Sequence, residues 1–349
     1  IIQGNTKTKS YVIERQIKVK KGDLFNATVL RHSINKIQQM GFFEDVNVGF
    51  EPGDTPLATN VVVTVEEKKT AAVGLSISHG TESGWSGGLS YGDSNWRGKG
   101  HNAEVGFETG DNEQYWLTYT EPYMDDIYYA WKVGAYKRVY EERGFYRAGA
   151  KRLEYDEERV GFYIGAGKKF SFDPRLSWYL TLDWHDVDVS NVIKLPAGTQ
   201  EDLDDLTTGT TFAVIGTLTW NTLDEYLSYS KGHIIDLSVE HALDMLGADW
   251  TYTKYWAQGR YYIPVMGLGD FLDFNLGKED NPPIFATRIK AGFSSGVLPS
   301  AERYSLGGSN SLRGYDGGEF EGDEMFLANV EARIPIESAF GFVLFYDIG

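Results

Sequence analysis

From Thr70 onward the chain alternates apolar and polar residues in runs of about 8–14, broken by Gly, Asn, Asp and Pro, and helical periodicity disappears. Neighbouring side chains on a strand point to opposite faces, so each run makes a strand with one apolar and one polar side. Val160, Phe162, Ile164 and Ala166 face one way and Gly161, Tyr163, Gly165 and Gly167 the other. Ile235, Leu237 and Val239 likewise oppose Asp236, Ser238 and Glu240. Ala328, Val330, Ala332 and Ile334 oppose Asn329, Glu331 and Arg333. About thirteen such segments are read, centred near residues 75, 89, 105, 118, 132, 163, 180, 215, 237, 257, 289, 330 and 345.

A soluble sandwich would alternate too, so the choice rests on the strand ends and the polar face. The ends carry aromatics: Tyr119 and Tyr123, Tyr128, Tyr129 and Trp131, Trp178 and Tyr179, Tyr255 and Trp256, Tyr261 and Tyr262. Such rings form girdles at lipid interfaces. Glu and Arg run along the middle of the polar face, where a sandwich core could not solvate them. A closed membrane barrel with a wet lumen satisfies both conditions, and a mean hydropathy of −0.35 is compatible with it. No stretch approaches the roughly 20 apolar residues of a spanning helix. Acids outnumber Lys and Arg 50 to 33, for a net charge of −17, which argues against nucleic acid as a partner. The absence of Cys removes disulfides, zinc fingers and thiol catalysis.

Residues 1–69 differ in kind. They hold 10 Lys and Arg against 8 acids, no Trp and one Tyr (Tyr11), so the remainder carries −17 − 2 = −19 together with all nine Trp. Asn26 caps a helix whose apolar face is Leu30, Ile34 and Ile37 and which Gly41 ends. A shorter helix is expected from Ser10 to Ile17, with Val12, Ile13 and Ile17 on one side. Two strands follow, Val46-Val48-Phe50 and Val61-Val63-Val65, joined by a turn at Pro52-Gly53-Asp54. The expected division is therefore an α+β domain, 1–69, before an antiparallel transmembrane β-barrel, 70–349.

Three separated features resemble the BamA family of outer-membrane β-barrel assembly proteins. Lys21-Gly22-Asp23 and the run Gly41-Phe42-Phe43-Glu44-Asp45-Val46 resemble a POTRA domain. Leu312-Arg313-Gly314-Tyr315, in a Gly-rich stretch, looks like the Arg-Gly-Phe/Tyr motif of the family's long sixth extracellular loop. Phe345-Tyr346-Asp347-Ile348-Gly349 resembles the strand motif that follows it. Between Ser305 and Glu324 the glycines leave a loop too flexible to hold its own shape, so it needs an anchor. The resemblance assigns that anchor to Arg313, Gly314, Tyr315, Glu331 and Asp347, with the guanidinium folded inward onto the two carboxylates. A plainer possibility leaves Arg313 solvated and both acids lining a wet lumen. The family's sixteen strands imply that the last three lie beyond Gly349, and Ile1 to Asn5 resembles the tail of the first POTRA strand. The chain begins without Met and without a signal-peptide pattern, as a mature product or an excised piece would.

The resemblance implies an outer-membrane insertase with its POTRA domain in the periplasm. Its partners would be unfolded outer-membrane proteins, accessory assembly lipoproteins or periplasmic chaperones, and outer-membrane lipid, with no nucleic acid. The first barrel strand, Val73, Gly74, Leu75, Ser76 and Ile77, is the candidate lateral gate, adding a substrate strand at its edge. Gly74 would loosen that seam, or else face a crowded lumen. Val46, Val48 and Phe50, or Val61 to Glu66, are the candidate substrate or partner edge of the POTRA sheet. No cofactor or metal is expected, because His32, His79, His101, His185, His233 and His241 show no ligand spacing. The acidic loop Asp316 to Glu324 departs from calcium-loop spacing. Gly88-Leu89-Ser90-Tyr91-Gly92 fits a serine-hydrolase pattern but lies within a strand, leaving Ser90 with His79 or His101 as an enzymatic possibility. A two-partner secretion or translocation-assembly barrel would share the POTRA domain and the Arg-Gly-Tyr loop. A passive porin would share the alternation and the girdles.

Overall fold

A computed structural model describes residues 1–80, 84–110, 112–147, 149–224, 230–265, 282–337 and 340–349. The amino-terminal unit runs β1 (Ile2–Gln3), α1 (Ser10–Glu14), α2 (Ala27–Gln39), β2 (Phe43–Pro52) and β3 (Thr59–Glu67). The Asn26 side chain accepts from the backbone N–H groups of Thr28 and Val29 at 3.0 and 3.2 Å, a cap worth about 1 kcal/mol. Gly41, at φ +72°, turns the chain out of α2. Val12 and Ile13 of α1 and Ile37 of α2 are buried with Phe43, Val46, Val63 and Val65 of the sheet.

The sheet order is β1-β3-β2. One expectation changes here. Helix α1 stops at Glu14, short of Ile17, which still packs at the edge of the core. Of the row Val46-Val48-Phe50, Val46 alone is buried, while Phe50 is exposed at the edge of the helical layer, against Phe25 with centroids 5.6 Å apart.

Thirteen strands then form one antiparallel meander. They are β4 (Ala71–Gly80), β5 (Gly84–Trp96), β6 (His101–Gly110), β7 (Asn112–Glu121), β8 (Ala130–Arg147), β9 (Ala150–Lys169), β10 (Leu176–Lys194), β11 (Gly209–Asn221), β12 (Gly232–Ala242), β13 (Tyr252–Pro264), β14 (Ile284–Gly296), β17 (Glu324–Glu337) and β18 (Phe340–Ile348). The six-residue helix α3 (Gln200–Asp205) sits in the loop after β10. The long loop 297–323 carries a 3-10 turn, Ser300–Glu302, and a short hairpin, β15 (Tyr304–Leu306) with β16 (Phe320–Gly322). That hairpin corrects the expectation of a loop without shape of its own.

Each of the thirteen expected segments falls in one of these strands. Strands β8, β9 and β10 are longer than expected, at 18, 20 and 19 residues. The assignment of the aromatics to girdles also needs correcting, because adjacent rings split between faces as alternation requires. Tyr261 is exposed on the outer face, whereas Tyr262 lines a polar cavity among arginines. Tyr179 covers Gly165 and Gly167, and Trp256 lies under the Lys290 ammonium.

The sheet is rolled around the long loop. Arg313 of that loop meets Asp347 on β18, and Glu321 meets Arg143 on β8. Seven strands lie between β8 and β18, roughly 38 Å in a flat sheet at about 4.8 Å per strand. The two-stranded hairpin β15–β16 nevertheless touches β17 on one side and β8 on the other, so the wall curves around it.

The amino-terminal unit is seated on the first turns of the barrel. Lys9 N–H donates to the Gly98 carbonyl at 2.8 Å, and Asn95 donates to Thr8 Oγ1 at 2.8 Å. Arg15 forms a bidentate pair with Glu121, both bonds 3.1 Å, and lies over the Tyr123 ring. Tyr123, whose hydroxyl donates to the Arg15 carbonyl at 2.6 Å, thus serves this contact and not a lipid girdle. Gly98 is at φ +73°, and a Cβ there would lie 1.9 Å from the Lys7 carbonyl oxygen.

Glu67 ties the same segment down from the other side, accepting from the N–H groups of Thr6, Lys7 and Thr8 at 2.9, 2.7 and 2.6 Å. Burial pushes its carboxyl up, but hydrogen bonds from the Thr6 and Thr8 side chains together with these backbone N–H groups outweigh burial and hold it down at about 2. A folded-state value depressed from 4.5 stabilises above pH 4.5 and loses that contribution as pH falls towards about 2. Glu67→Gln is therefore expected to lower stability at neutral pH and to flatten the acid limb between about 4.5 and 2. Urea unfolding of both proteins across that range checks it, and parallel acid limbs would refute the assignment.

Candidate functional site

Alternation on the last two strands aims the acids inward. Phe345 and Asp347 of β18 share the luminal face, while Leu344, Tyr346 and Ile348 are exposed on the other. Asn329 stands opposite Asp347 in register, and Glu331 follows it on the same face of β17.

Arg313 descends onto this cluster. Its Nε and Nη2 donate to the two Asp347 oxygens at 2.7 and 2.6 Å, its backbone N–H to Oδ2 at 3.1 Å, and Nη1 reaches Glu331 at 2.8 Å. The guanidinium carbon lies 3.6 Å from the Phe345 ring centroid. Asn329 Nδ2 donates to Asp347 at 2.7 Å and to the Ser311 carbonyl at 2.8 Å, joining loop to wall a second time. A planar fork on a carboxylate plus a ring face is a contact lysine cannot reproduce.

The structure thus brings Arg313, Glu331 and Asp347 together, and leaves the other two members of the motif outside the cluster. Gly314, at φ +95°, contributes backbone freedom. Tyr315 packs on Phe320 of its own loop, centroids 5.1 Å apart.

A second anchor, which no sequence pattern announces, holds the first half of the loop. Glu302 is 7% exposed; its carboxylate accepts from His185 Nε2 at 2.8 Å and lies 3.3 Å from Arg159 Nη1. Lys254 Nζ is at 3.9 Å, Arg159 donates to the Ala301 carbonyl at 2.8 Å, and Asp183 holds the other imidazole nitrogen at 2.6 Å. Burial raises the Glu302 carboxyl, but His185, Arg159 and Lys254 outweigh it and keep it at about 2. Next to it, Arg303 grips Asp205 of α3 with two bonds of 2.6 Å. On β16, burial pushes Glu321 up to about 6 although Arg143 and Arg303 pull the other way.

Electrostatically, then, a loop with net acidic character is pinned by arginines at both ends. Nothing in the arrangement resembles a nucleophile beside its base. Ser90 pairs with Gly74 and Gly106, whereas His101 lies five positions along β6, roughly 17 Å away, bonded to Tyr119 and Glu121. The side chain of His79, the second histidine considered for Ser90, lies outside the described residues.

Strand β4 is an end of the sheet and pairs with β5 alone among the described residues. Val73, Leu75 and Ile77 are exposed on its outer face. Gly74 and Ser76 interlock with Ser90 and Gly88, since a Cβ on Gly74 would lie 2.5 Å from Ser90 Oγ and one on Gly88 2.7 Å from Ser76 Oγ. Gly74 thus lies beside the rotatable Ser90 hydroxyl on the luminal side of the sheet. In the amino-terminal sheet, β3 is flanked by β1 and β2, so Val61 to Glu66 is no free edge; Val46, Val48 and Phe50 lie on β2, which is.

A family model described as the Omp85 superfamily domain matches residues 95–349, nearly three quarters of the chain. The chain belongs to the Omp85 superfamily. A second model, the surface antigen variable number repeat or POTRA, matches residues 1–68. Among Omp85 relatives, the outer membrane protein assembly factor BamA of Nitratidesulfovibrio vulgaris is 24% identical over 367 aligned positions, covering 100% of this chain and 43% of that protein. The chain therefore spans less than half of that relative's length. Of solved structures, BamA from Haemophilus ducreyi lacking POTRA domains 1–3 superimposes with a TM-score of 0.68 at 18% identity, over 99% of this chain and 70% of that one. CdiB from Acinetobacter baumannii gives 0.58 at 15% identity, over 96% and 59%. At these identities the structural likeness shows the fold. The protein is an outer-membrane Omp85 barrel preceded by a POTRA domain.

Proposed function

We propose that this Omp85 barrel folds and inserts other β-barrel proteins into the outer membrane, without enzymatic chemistry, and that its POTRA domain lies in the periplasm as residues 1–69. The observation that carries the reading is the doubly anchored loop: Arg313 on Asp347 and Glu331, Glu302 on His185 and Arg159. A loop fastened to the wall on both sides gives a folding catalyst a rigid wall against which one seam can move. Alignment of the whole chain with an assembly factor supports the same reading.

A strand crossing lipid with unpaired N–H and C=O groups pays several kcal/mol for each, so the catalyst offers an edge as template. Strand β4 is that edge in this proposal, and β2, with Val46, Val48 and Phe50, receives unfolded chains or accessory lipoproteins by the same β-augmentation. Likeness to CdiB supports a related secretion barrel as the second reading.

A photo-crosslinking amino acid at Leu75 of β4, in the full-length protein, is expected to capture outer-membrane proteins during their assembly. The same group at Leu180 in mid-wall is expected to capture little. Equal capture at both positions would remove β4 from the mechanism.

A further inference from the structure

The lumen of this acidic protein holds an unexplained basic cavity. About 320 Å³ in volume, it opens beneath the loop between β13, β14 and β17, and Arg260, Arg288, Arg313 and Arg333 line it. Arg260 and Arg288 are directly opposite each other in the β13–β14 register. Like charges facing each other across two strands destabilise the pair.

Among the described residues, the carboxylates do not balance the cluster. Asp236 takes Arg260, and Asp347 takes Arg313, which shares Glu331 with Arg333. Arg288 is met by the oxygens of Asn329 and Asn310, at 2.8 and 2.6 Å. Four guanidinium groups thus face three carboxylates, and Lys290, one step up β14, adds a fifth cation, which lies over the Trp256 ring. Arg260 Nε is buried without any hydrogen-bond acceptor among the described residues.

We propose that this cavity is an oxyanion site, built for a group of the size and charge of phosphate. A tetrahedral anion between Arg260, Arg288 and Arg333 accepts from the Nη donors that no side chain among the described residues takes, relieves the opposed pair, and ties the loop carbonyl of Asn310 more firmly to the wall through Arg288. The outward faces of these strands carry Tyr261, Ile289 and Val330, all exposed, so the anion arrives through luminal water and not from a lipid headgroup.

The test titrates inorganic phosphate against chloride at constant ionic strength into the full-length protein in detergent, following heat release and unfolding temperature. Saturable binding and a rise in unfolding temperature are expected for the wild type. Arg260→Gln and Arg333→Gln should each weaken binding at least tenfold, while Lys194→Gln, at the top of β10, should bind as the wild type does. Retention of compact, heat-modifiable gel migration identifies variants that fold; should Arg260→Gln not fold, Arg260→Lys should keep part of the affinity. A wild type that responds to phosphate and chloride alike, or folded variants that bind phosphate as tightly as the wild type, would overturn the proposal.

Discussion

Arg313→Glu is expected to abolish outer-membrane protein assembly and to destabilise the barrel by at least about 3 kcal/mol, the cost of leaving buried partners uncompensated. The substitution places a third carboxylate against Glu331 and against Asp347, whose side chain is 4% exposed. Asp347→Arg should fail as severely, since it sets two guanidinium groups together beside Phe345. The double change restores one ion pair in reversed order and should recover part of both activity and heat-resistant migration. Arg313→Lys should fall between, keeping charge but losing the fork and the ring face. Recovery in the double variant is what separates an anchoring pair from two independently important residues.

Glu302→Ala carries the second large effect. It takes from Arg159 and His185 a carboxylate that is nearly inaccessible to water, leaving them Glu157 at 3.5 Å and Asp183 at 2.6 Å, and removes the nearest acid to Lys254 on the loop. The expected loss is about 2–3 kcal/mol. Because the helix α3 contact through Arg303 remains, the loop should loosen rather than leave, so limited proteolysis between Ser300 and Glu324 should accelerate before global unfolding does. Glu302→Gln, which keeps the hydrogen bond to His185 and loses the charge, should cost less than the alanine. Unchanged proteolysis in Glu302→Ala would leave the loop's hold to Arg303 and Arg313.

The two anchors are not equally legible in the sequence, for a physical reason. Arg313, Glu331 and Asp347 lie close together along the chain, on a Gly-rich loop and the two strands after it, where alternation states which way each acid points. The partners of Glu302 come from β9, β10 and β13, with 117 residues separating it from His185, and nothing in Pro299-Ser300-Ala301-Glu302 marks it. Spacing tests a histidine for metal ligands near it in the chain, whereas the role of His185 is to bridge two carboxylates that only the fold assembles.

Strand positions are legible throughout, because lipid outside and water inside enforce a period of two. Strand lengths are not. In the upper parts of β8 and β9, Phe145, Leu153 and Tyr155 are buried together on the face that carries Glu157 while Glu154 and Asp156 lie on the other, so the apolar face changes sides although pairing continues from Arg143 opposite Tyr155 to Arg147 opposite Ala150. The seat of the POTRA domain is also invisible in the sequence, since Arg15 and Glu121 belong to different patterns and meet only in three dimensions.

The most direct test of the insertase reading is kinetic. Full-length protein is reconstituted into lipid vesicles without nucleotide, an unfolded outer-membrane protein is added, and the appearance of protease-resistant, heat-modifiable barrel is timed. Folding several-fold faster than in empty vesicles, lost in Arg313→Glu and partly regained with Asp347→Arg, is the predicted result. A wild type that is itself correctly folded in the vesicles yet leaves the substrate's folding rate unchanged would contradict the account.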